Sequence, residues 1–241
     1  LRSACRRRPS SANICVVANL GARRVLNRHE APGRPPNVDR FPSIVHRPTM
    51  LPWLRYQLRK LFRPRVITNG GVRIDLGPVA GTRYARSFYR DSHERDERQI
   101  IDQRLTSNDT VLELGAGIGL VTILCCQRIG SRRVHTFEAN RKLESSLRRN
   151  FDLNGVSPQL HLQMVSLNAG PHGFFVSDRF ILSSTTPTAA GSGSRRVQVD
   201  AVPLADVLAE VRPTFLIVDI EGGELDLADP SVEIDGVQKL C

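Results

Sequence analysis

Short apolar runs and longer segments of helical periodicity alternate along the chain from residue 107 to residue 241. The runs in TVLELG, RRVHTFEA, QLHLQMVSL and FLIVDI predict buried strands, and VQKLC predicts the start of another. IGLVTILCCQRI, NRKLESSLRRNFDL, ADVLAEV and the short GELDLAD predict helices between them. Strands that alternate with helices are typical of a mostly parallel sheet covered on both faces. We therefore predict an α/β domain, Rossmann-like and doubly wound, whose ligands bind at the carboxyl ends of the strands.

A smaller unit, residues 66–106, precedes this domain and is expected to pack on its core. The stretch VITNGGVRIDLG carries an Asn-Gly-Gly turn between two β-rich runs, which predicts a hairpin. The segment from Ser92 to Leu105 predicts a helix with Ser92 as its N-cap. Ile100, Ile101 and Leu105 would form the apolar face of that helix.

Residues 50–65 predict a basic amphipathic helix that stops at Pro64. Leucines at 51, 54, 58 and 61 recur at three- and four-residue steps, and the basic residues lie off that line. We expect the leucine stripe to pack on the helix's own domain. The presence of Trp53 leaves open the alternative of a helix that lies in a membrane interface.

The first 49 residues are rich in arginine, serine and proline and show little periodicity, so we predict that they are disordered. The chain starts with Leu1, and Met50 opens a more protein-like pattern. We favour upstream sequence that is not normally translated. A transit peptide is the second interpretation, and a basic arm is the third.

Composition narrows the possible functions. No apolar run reaches the roughly 18 to 20 residues that span a bilayer, and the five cysteines show no metal-ligand spacing. The net charge of +10 lies mainly in the first 49 residues, which hold ten arginines against two acids. The basic charge thus belongs to a tail and not to a nucleic-acid groove. We expect a cytoplasmic protein, with membrane association permitted through residues 50–62 and no nucleic-acid partner.

The chain ends at Cys241, inside a segment that predicts a buried strand. An apolar sheet edge exposed there would favour aggregation. We therefore expect the domain to be truncated at its C-terminus and to lack one or two strands.

The stretch VLELGAGIG places Gly115, Gly117 and Gly119 directly after a predicted strand, with Glu113 before them. This spacing differs from the G-x-G-x-x-G of dinucleotide sites. The pattern E-x-G-x-G-x-G resembles the nucleoside-binding loop of S-adenosylmethionine-dependent methyltransferases. Glycines permit close approach of the backbone to a ligand, and Glu113 suits the cationic amino and sulfonium groups. A tight turn between strand and helix, without a ligand, is the alternative.

Glu138 ends the next predicted strand, nineteen residues beyond Gly119. A carboxylate at this place can accept both hydroxyls of a ribose. Capping of the following helix is the alternative role. The loop and the acid together favour a nucleoside cofactor, and the glycine spacing favours a methyl donor over NAD.

The stretch FLIVDIEGGE puts Asp219 and Glu221 immediately after a very apolar strand. Residues two apart in an extended segment point the same way, so both carboxylates should lie at the carboxyl edge of the sheet. Such a pair can act as a base, anchor a hydrogen bond or hold a hard metal ion. The residues leave the choice among these roles open. We assign no metal ligands, and metal dependence stays open as well. Helix capping explains Glu224 more readily than it explains the other two acids.

With these motifs in view, the chain from about residue 66 resembles the FkbM-like family of S-adenosylmethionine-dependent methyltransferases. The resemblance is carried by VLELGAGIG, FEAN, RRNFDLNGV and LIVDIEGGE, and less specifically by QVDAVPLADVL. It implies a class I methyltransferase fold and O-methylation of a hydroxyl on a sugar, glycolipid or other small secondary metabolite. It also places Asp219 and Glu221 at the active site and implies a set of cofactor-binding residues: Glu113, Gly115, Ala116, Gly117, Gly119, Glu138, Asn140 and Ser166.

Other interpretations remain open at this stage. A nucleic-acid methyltransferase is disfavoured because DIEGG occupies the place of an Asn/Asp-Pro-Pro-aromatic motif and because aromatic residues make up only 5% of the chain. An NAD oxidoreductase is opposed by the glycine spacing. A truncated and inactive product with a basic tail is the non-enzymatic alternative. The loop at residues 185–194, TTPTAAGSGS, is predicted to be flexible and can lie over the acceptor site.

Overall fold

The centre of the molecule is a five-stranded parallel sheet. The computed structural model describes residues 52–177, 183–184, 194–220, 234 and 236–241. Within them the sheet has the strand order β11-β10-β3-β4-β5, and all of its pairings are parallel. Its strands are β3 (Val111–Leu114), β4 (Val134–Phe137), β5 (Gln159–His161), β10 (Phe215–Val218) and β11 (Lys239–Leu240).

Helices cover both faces of this sheet. The described helices are α1 (Pro52–Phe62), α2 (Ala85–Arg90), α3 (Arg95–Arg104), α4 (Leu120–Ile129), α5 (Glu144–Asn154) and α6 (Leu204–Val211). The helices α4 and α5 pack on one face and α6 packs on the other. Alternate residues of each strand join different clusters: Phe215 and Ile217 pack in the core that contains α4 and α5, and Leu216 packs in the core that contains α6. Because both faces are covered, the strands are apolar throughout. The fold is α/β, Rossmann-like and doubly wound.

The strand order reverses beside β3. From β3 the chain moves outward to β4 and then β5, and it later returns to place β10 on the other side of β3. Such a reversal leaves a crevice outside the carboxyl ends of the two central strands, where doubly wound folds bind ligands. The glycine loop follows β3, and Asp219 follows β10.

The chain segment between β5 and β10 forms a second sheet. The sequence pattern indicates only an irregular segment there. The second sheet has the order β6-β9-β7-β8 and contains β6 (Met164–Ser166), β7 (Gly170–Ser177), β8 (Ser183–Ser184) and β9 (Ser194–Pro203). The long pairing of β7 with β9 joins residues far apart in sequence, which is why local periodicity misses it. QLHLQMVSL, predicted as one strand, divides into β5 and β6, which belong to different sheets.

Residues 66–106, which precede the main domain, contain a hairpin and the helices α2 and α3. The Asn-Gly-Gly turn joins β1 (Val66–Asn69) to β2 (Val72–Asp75) in antiparallel pairing. The helix expected from Ser92 begins only at Arg95, and Glu94 is its N-cap, without a side-chain cap. The prediction of Ser92 as the cap is therefore wrong; its hydroxyl donates to the Ser87 carbonyl. Ile101 and Leu105 are buried, as the apolar face requires.

The helix α1 contacts the rest of the protein through its basic side, and not through the leucine side that we predicted. None of its residues is buried, and its leucines at 54 and 61 are exposed. The polar side faces the protein instead: Arg59 donates to the Thr68 carbonyl at 2.7 Å and to Asn69 Oδ1 at 3.1 Å, and Arg55 pairs with Asp91. The expectation that the leucine stripe packs on the domain is wrong for these residues.

Several predictions fall outside the described residues. They concern residues 1–49, Leu51, the loop at 185–193, the short helix in GELDLAD and the side chain of Glu221. Within the part of the chain that the structure describes, no helix has the length and apolar character needed to cross a membrane.

Asp109 ties the N-terminal ends of β3, β10 and β11 together. Its carboxylate accepts hydrogen bonds from Lys239 Nζ at 2.6 and 2.8 Å, from Thr214 Oγ1 at 2.8 Å and from the Thr106 amide at 2.7 Å. Burial raises the pKa of Asp109, but these donors lower it further than burial raises it, so the net pKa lies below its usual range. The folded state therefore stabilises the ionised carboxylate.

Replacing Lys239 with methionine should lower the free energy of unfolding by about 1–3 kcal/mol at neutral pH, because the buried Asp109 carboxylate loses a charged donor. A group whose folded pKa is depressed contributes stability above its unfolded pKa and loses it on acidification. The deficit of Lys239→Met should therefore shrink as the pH falls below about 4. Urea denaturation at neutral and acidic pH measures the difference in free energy of unfolding between this variant and the wild type.

Arg148→Met is the matched control, since it breaks the exposed pair with Glu144 on α5. Its effect should stay below about 0.5 kcal/mol. An equal loss in the two variants would contradict the structural role of the Asp109 pair.

Candidate functional site

The close approach of β10 to the glycine loop defines the candidate site. The Asp219 amide donates to the Leu114 carbonyl at 2.9 Å, which continues the β3–β10 ladder by one residue. Gly115 has φ +95°, and a Cβ placed there would lie 2.0 Å from the Asp219 carbonyl oxygen. Only glycine fits this position, because any side chain would collide with the backbone of the neighbouring strand.

Glu138 braces the same loop from the other side. It follows β4, and its carboxylate accepts the Gly117 amide on Oε2 at 2.9 Å and the Asn140 amide on Oε1 at 2.7 Å. Burial raises the pKa of Glu138 to about 7, although both amides favour the charged form. The structure therefore brings Asp219 and Glu138 together at the glycine loop, one on each side.

Glu113 lies beneath the loop and is only 2% exposed. Its Oε2 accepts hydrogen bonds from the hydroxyls of Thr122 on α4 and Thr136 on β4. Burial raises the pKa of Glu113 to about 8, against the lowering effect of the two hydroxyls. Its observed contacts join β3, β4 and α4, and its direct contact with a cofactor stays a prediction.

The remaining residues of the predicted cofactor set take different places. The Ala116 amide donates to the Phe137 carbonyl at 3.1 Å, and Gly119 is the N-cap of α4. Asn140 caps the short helix after β4, where its side chain accepts the Lys142 amide. Ser166 ends β6 in the second sheet, and its hydroxyl donates to the Asn168 carbonyl at 2.6 Å. These residues stay predicted ligands.

Two residues near Asp219 were not predicted from the sequence. His93 Nε2 lies 3.1 Å from Glu94 Oε1, and Glu94 adopts a left-handed backbone conformation with φ +47°. Burial lowers the pKa of His93, but the negative charges of Glu94 and Asp219 outweigh it and the net pKa is raised. The available signal was a His-Glu pair at the start of a predicted helix, which is weak because such pairs are usually solvated.

The site is thus acidic. The charges of Glu94 and Asp219 also contribute to the raised pKa of Glu113, so the three carboxyls lie close enough to influence one another. Such a group can hold a cation or accept protons. Among the residues with described side chains, no cluster of His, Cys, Asp and Glu has the arrangement of a metal site.

Comparison with known proteins assigns the chain that carries this site to a family. A family model described as "Methyltransferase FkbM domain" matches residues 108–229, just over half of the chain. The chain belongs to the FkbM methyltransferase family. The matched range contains the glycine loop, Glu138 and Asp219, whereas His93 and Glu94 lie before it. The predicted family is confirmed.

Two further likenesses cover parts of this FkbM family chain. Ribosomal protein L11 methyltransferase from Bacillus pumilus (strain SAFR-032) is 28% identical over 75 residues, which are 31% of this chain and 24% of that protein. The crystal structure of methyltransferase FkbM from Methylobacillus flagellatus KT is 17% identical, with a TM-score of 0.35 over 72% of this chain and 42% of that chain. This chain therefore spans less than half the length of either.

Substitutions at two glycines of the FkbM family loop should separate two physical constraints. Gly115→Ala places a Cβ against the Asp219 carbonyl oxygen. This clash is relieved only if the backbone of one of the two strands moves. Gly117 also has positive φ, but a Cβ there meets nothing within 4 Å. Gly117→Ala should cost about 1–2 kcal/mol of backbone strain alone, and Gly115→Ala should cost clearly more.

Chemical denaturation of the two variants provides the measurement. Equal destabilisation of Gly115→Ala and Gly117→Ala would mean that the Asp219 backbone does not contact Gly115 closely in solution.

A second prediction concerns the pH dependence of stability. The pKa of Glu113 is about 8 in the folded state against an ordinary value of 4.5. A raised carboxyl pKa gives stability that is complete below the unfolded pKa and is lost as the pH rises through the folded value. The wild-type melting temperature should therefore fall between about pH 5 and pH 8. Glu113→Gln should reduce that slope, because the amide does not ionise, and should leave the part that Glu138 contributes through its pKa of about 7.

Thermal unfolding across this range measures the slope. Thr122→Val serves as the control, because it removes one hydroxyl donor and keeps the titrating carboxyl. An unchanged slope in Glu113→Gln would show that Glu113 does not titrate in this range.

Proposed function

We propose that this chain is the catalytic part of an S-adenosylmethionine-dependent methyltransferase that O-methylates a hydroxyl of a sugar, glycolipid or other small secondary metabolite. The observation that carries the proposal is the convergence of Glu138 and Asp219 on the glycine loop at the strand-order reversal. Membership of the FkbM methyltransferase family supports the reaction class.

The residues present fit a nucleoside cofactor. Gly117 faces open space, since a Cβ there would meet no atom within 4 Å, and its amide is held by Glu138. A carboxylate has about four acceptor sites, and the two backbone amides occupy two of those on Glu138. The remaining lone pairs can accept the two ribose hydroxyls, which makes Glu138 and the loop the nucleoside-binding side of the crevice.

The other side of the crevice handles the acceptor. When bound, the cofactor supplies an electrophilic methyl group on a sulfonium. Asp219 follows β10 and would orient the acceptor hydroxyl by accepting its hydrogen bond. As the O–CH₃ bond formed and the S–CH₃ bond broke, S-adenosylhomocysteine would leave, and the hydroxyl proton would pass to a carboxylate or to His93 in its neutral form. Glu221, predicted as a second catalytic acid, stays a proposal that lies outside the described residues.

The charge of the site supports a neutral acceptor. Glu94 and Asp219 lie within electrostatic reach of the buried Glu113, whose pKa of about 8 keeps it mostly protonated at neutral pH. The negative charges of Glu94 and Asp219 would repel an anionic group such as a phosphate from the position of the reacting hydroxyl. Sugar and alcohol hydroxyls carry no charge and donate to carboxylates. The same acidity disfavours a nucleic-acid backbone at this position.

The proposal is tested by thermal shift with S-adenosylhomocysteine and with NAD. At a hundredfold excess over its dissociation constant, the selective ligand adds about 2.7 kcal/mol, or roughly 5 to 10 °C for a chain of this size. Glu138→Ala should weaken S-adenosylhomocysteine at least tenfold, because hydrogen bonds to a charged group contribute about 1.5–3 kcal/mol each. Glu138→Gln should lose less, since it keeps one acceptor oxygen.

Asp219→Asn is the contrasting variant. It should bind S-adenosylhomocysteine within about threefold of the wild type, which is a loss of about 0.7 kcal/mol or less. It should fail to transfer labelled methyl groups to a panel of glycosides and hydroxylated lipids. A folded wild-type protein that responds to NAD, or to neither compound, would refute the proposed cofactor. Full methyl transfer by Asp219→Asn would refute the role of Asp219.

A further inference from the structure

The exposed apolar side chains of this protein are gathered in one place. Within the described residues, every large hydrophobic side chain that is exposed lies between positions 53 and 66. Trp53 is 67% exposed, and Leu61 and Phe62 are each 73% exposed; Leu54 and Val66 complete the set. Scattered single residues of this kind are ordinary, but a contiguous patch marks an interaction site.

The helical geometry of α1 arranges these residues on one side. At about 100° per residue, Trp53, Leu54, Leu61 and Phe62 fall within one half of the helix circumference, together with the half-buried Leu58. Basic residues fill the other half. An amphipathic helix normally buries its apolar half, but here the basic half is the docked one, through Arg59 and Arg55. We call the exposed half the α1 apolar face.

A basic pocket opens along one edge of this face. It is a cavity of about 210 Å³ whose lining includes Tyr56, Lys60, Arg63, Arg83 and Arg86. No carboxylate belongs to its described lining, and none of these four cations forms an ion pair with another described residue. The neighbouring cations that are used structurally, such as Arg55, have partners.

Arg63 is held at this pocket by its backbone. It follows the last residue of α1 and has φ +48°, a left-handed conformation that non-glycine residues rarely adopt. Its side chain lies across Gly81, where a Cβ would approach Arg63 Cδ to 3.0 Å. The chain thus directs a guanidinium into the pocket at the cost of backbone strain.

We propose that the α1 apolar face and the basic pocket together form a docking surface for an anionic lipid membrane. The apolar side chains enter the interface, and Lys60, Arg63, Arg83 and Arg86 bind the phosphate of a lipid headgroup. Basic amphipathic helices with tryptophan, phenylalanine and leucine on one face lie in the plane of such interfaces, and cations at the surface attract anionic lipids. α1 is about 16 Å long, so it lies on the bilayer and does not cross it.

Charge argues against a second copy of the chain as the occupant. The pocket beside this face is lined by four cations, Lys60, Arg63, Arg83 and Arg86, and by no carboxylate among the residues described there. A symmetric dimer through this face would bring the same positive patch of each copy together, and like charges in a partly apolar interface repel. An anionic bilayer offers the complementary charge and an apolar phase at the same surface.

Trp53 provides a direct test, because it is the only tryptophan of the chain. The full chain is mixed with vesicles of phosphatidylcholine alone, or of equal parts phosphatidylcholine and phosphatidylglycerol. With the anionic vesicles, the emission of Trp53 should shift to the blue and its quenching by acrylamide should fall. With neutral vesicles both effects should be much smaller.

Charge reversal separates this surface from the arginine-rich residues 1–49. Arg83→Glu with Arg86→Glu should weaken partitioning into anionic vesicles at least tenfold. Arg132→Glu with Arg195→Glu changes the net charge equally at exposed positions elsewhere and should keep partitioning within about twofold. Leu61→Ser with Phe62→Ser should abolish the blue shift, and unchanged circular dichroism would show that this variant still folds.

Four outcomes would overturn the proposal. Binding without a change in Trp53 emission, or binding that both charge-reversed variants lose equally, would assign lipid binding to other basic residues. Protection of Trp53 without lipid that grows with protein concentration would assign the face to a second copy. Protection at every concentration without lipid would mean that another segment of the same chain covers it.

Discussion

The contact between the Gly115 backbone and the Asp219 carbonyl is the constraint on which the candidate site depends. It fixes how closely β10 approaches β3 at their carboxyl ends, and it sets the position of Asp219 beside the glycine loop. The ladder bond from the Asp219 amide to Leu114 holds the same register. A larger residue at position 115 would separate the two strands at the point where the strand order reverses, and the crevice would lose its shape.

A second constraint is electrostatic. The fold buries Glu113 and Glu138 around this crevice, and burial raises the pKa of Glu113 to about 8 and that of Glu138 to about 7. Hydroxyls and amides satisfy these carboxyls, but no cation neutralises them among the described contacts. A protein built for stability alone would place apolar residues there. Retaining the acids is consistent with a site that binds a positively charged group and moves protons.

The crevice and the helix α1 use charge in opposite ways. Around the crevice, acids are concentrated and buried, while at α1 the basic residues divide into a docked set, with Arg55 and Arg59, and an exposed set, with Lys60 and Arg63. Net charge alone does not reveal this division, because it sums over both regions.

The sequence by itself determined the parallel sheet, the loop and its flanking acids, because apolar runs, helical periods and glycine spacing are local properties of the chain. Tertiary structure decided the rest. The pairing of β7 with β9 depends on residues distant in sequence, the docking of α1 by its basic side depends on acceptors such as the Thr68 carbonyl, and His93 and Glu94 gain their importance only from the nearness of Asp219. Local patterns carry no information about which distant groups meet, so contacts of this kind appear only once the chain is folded.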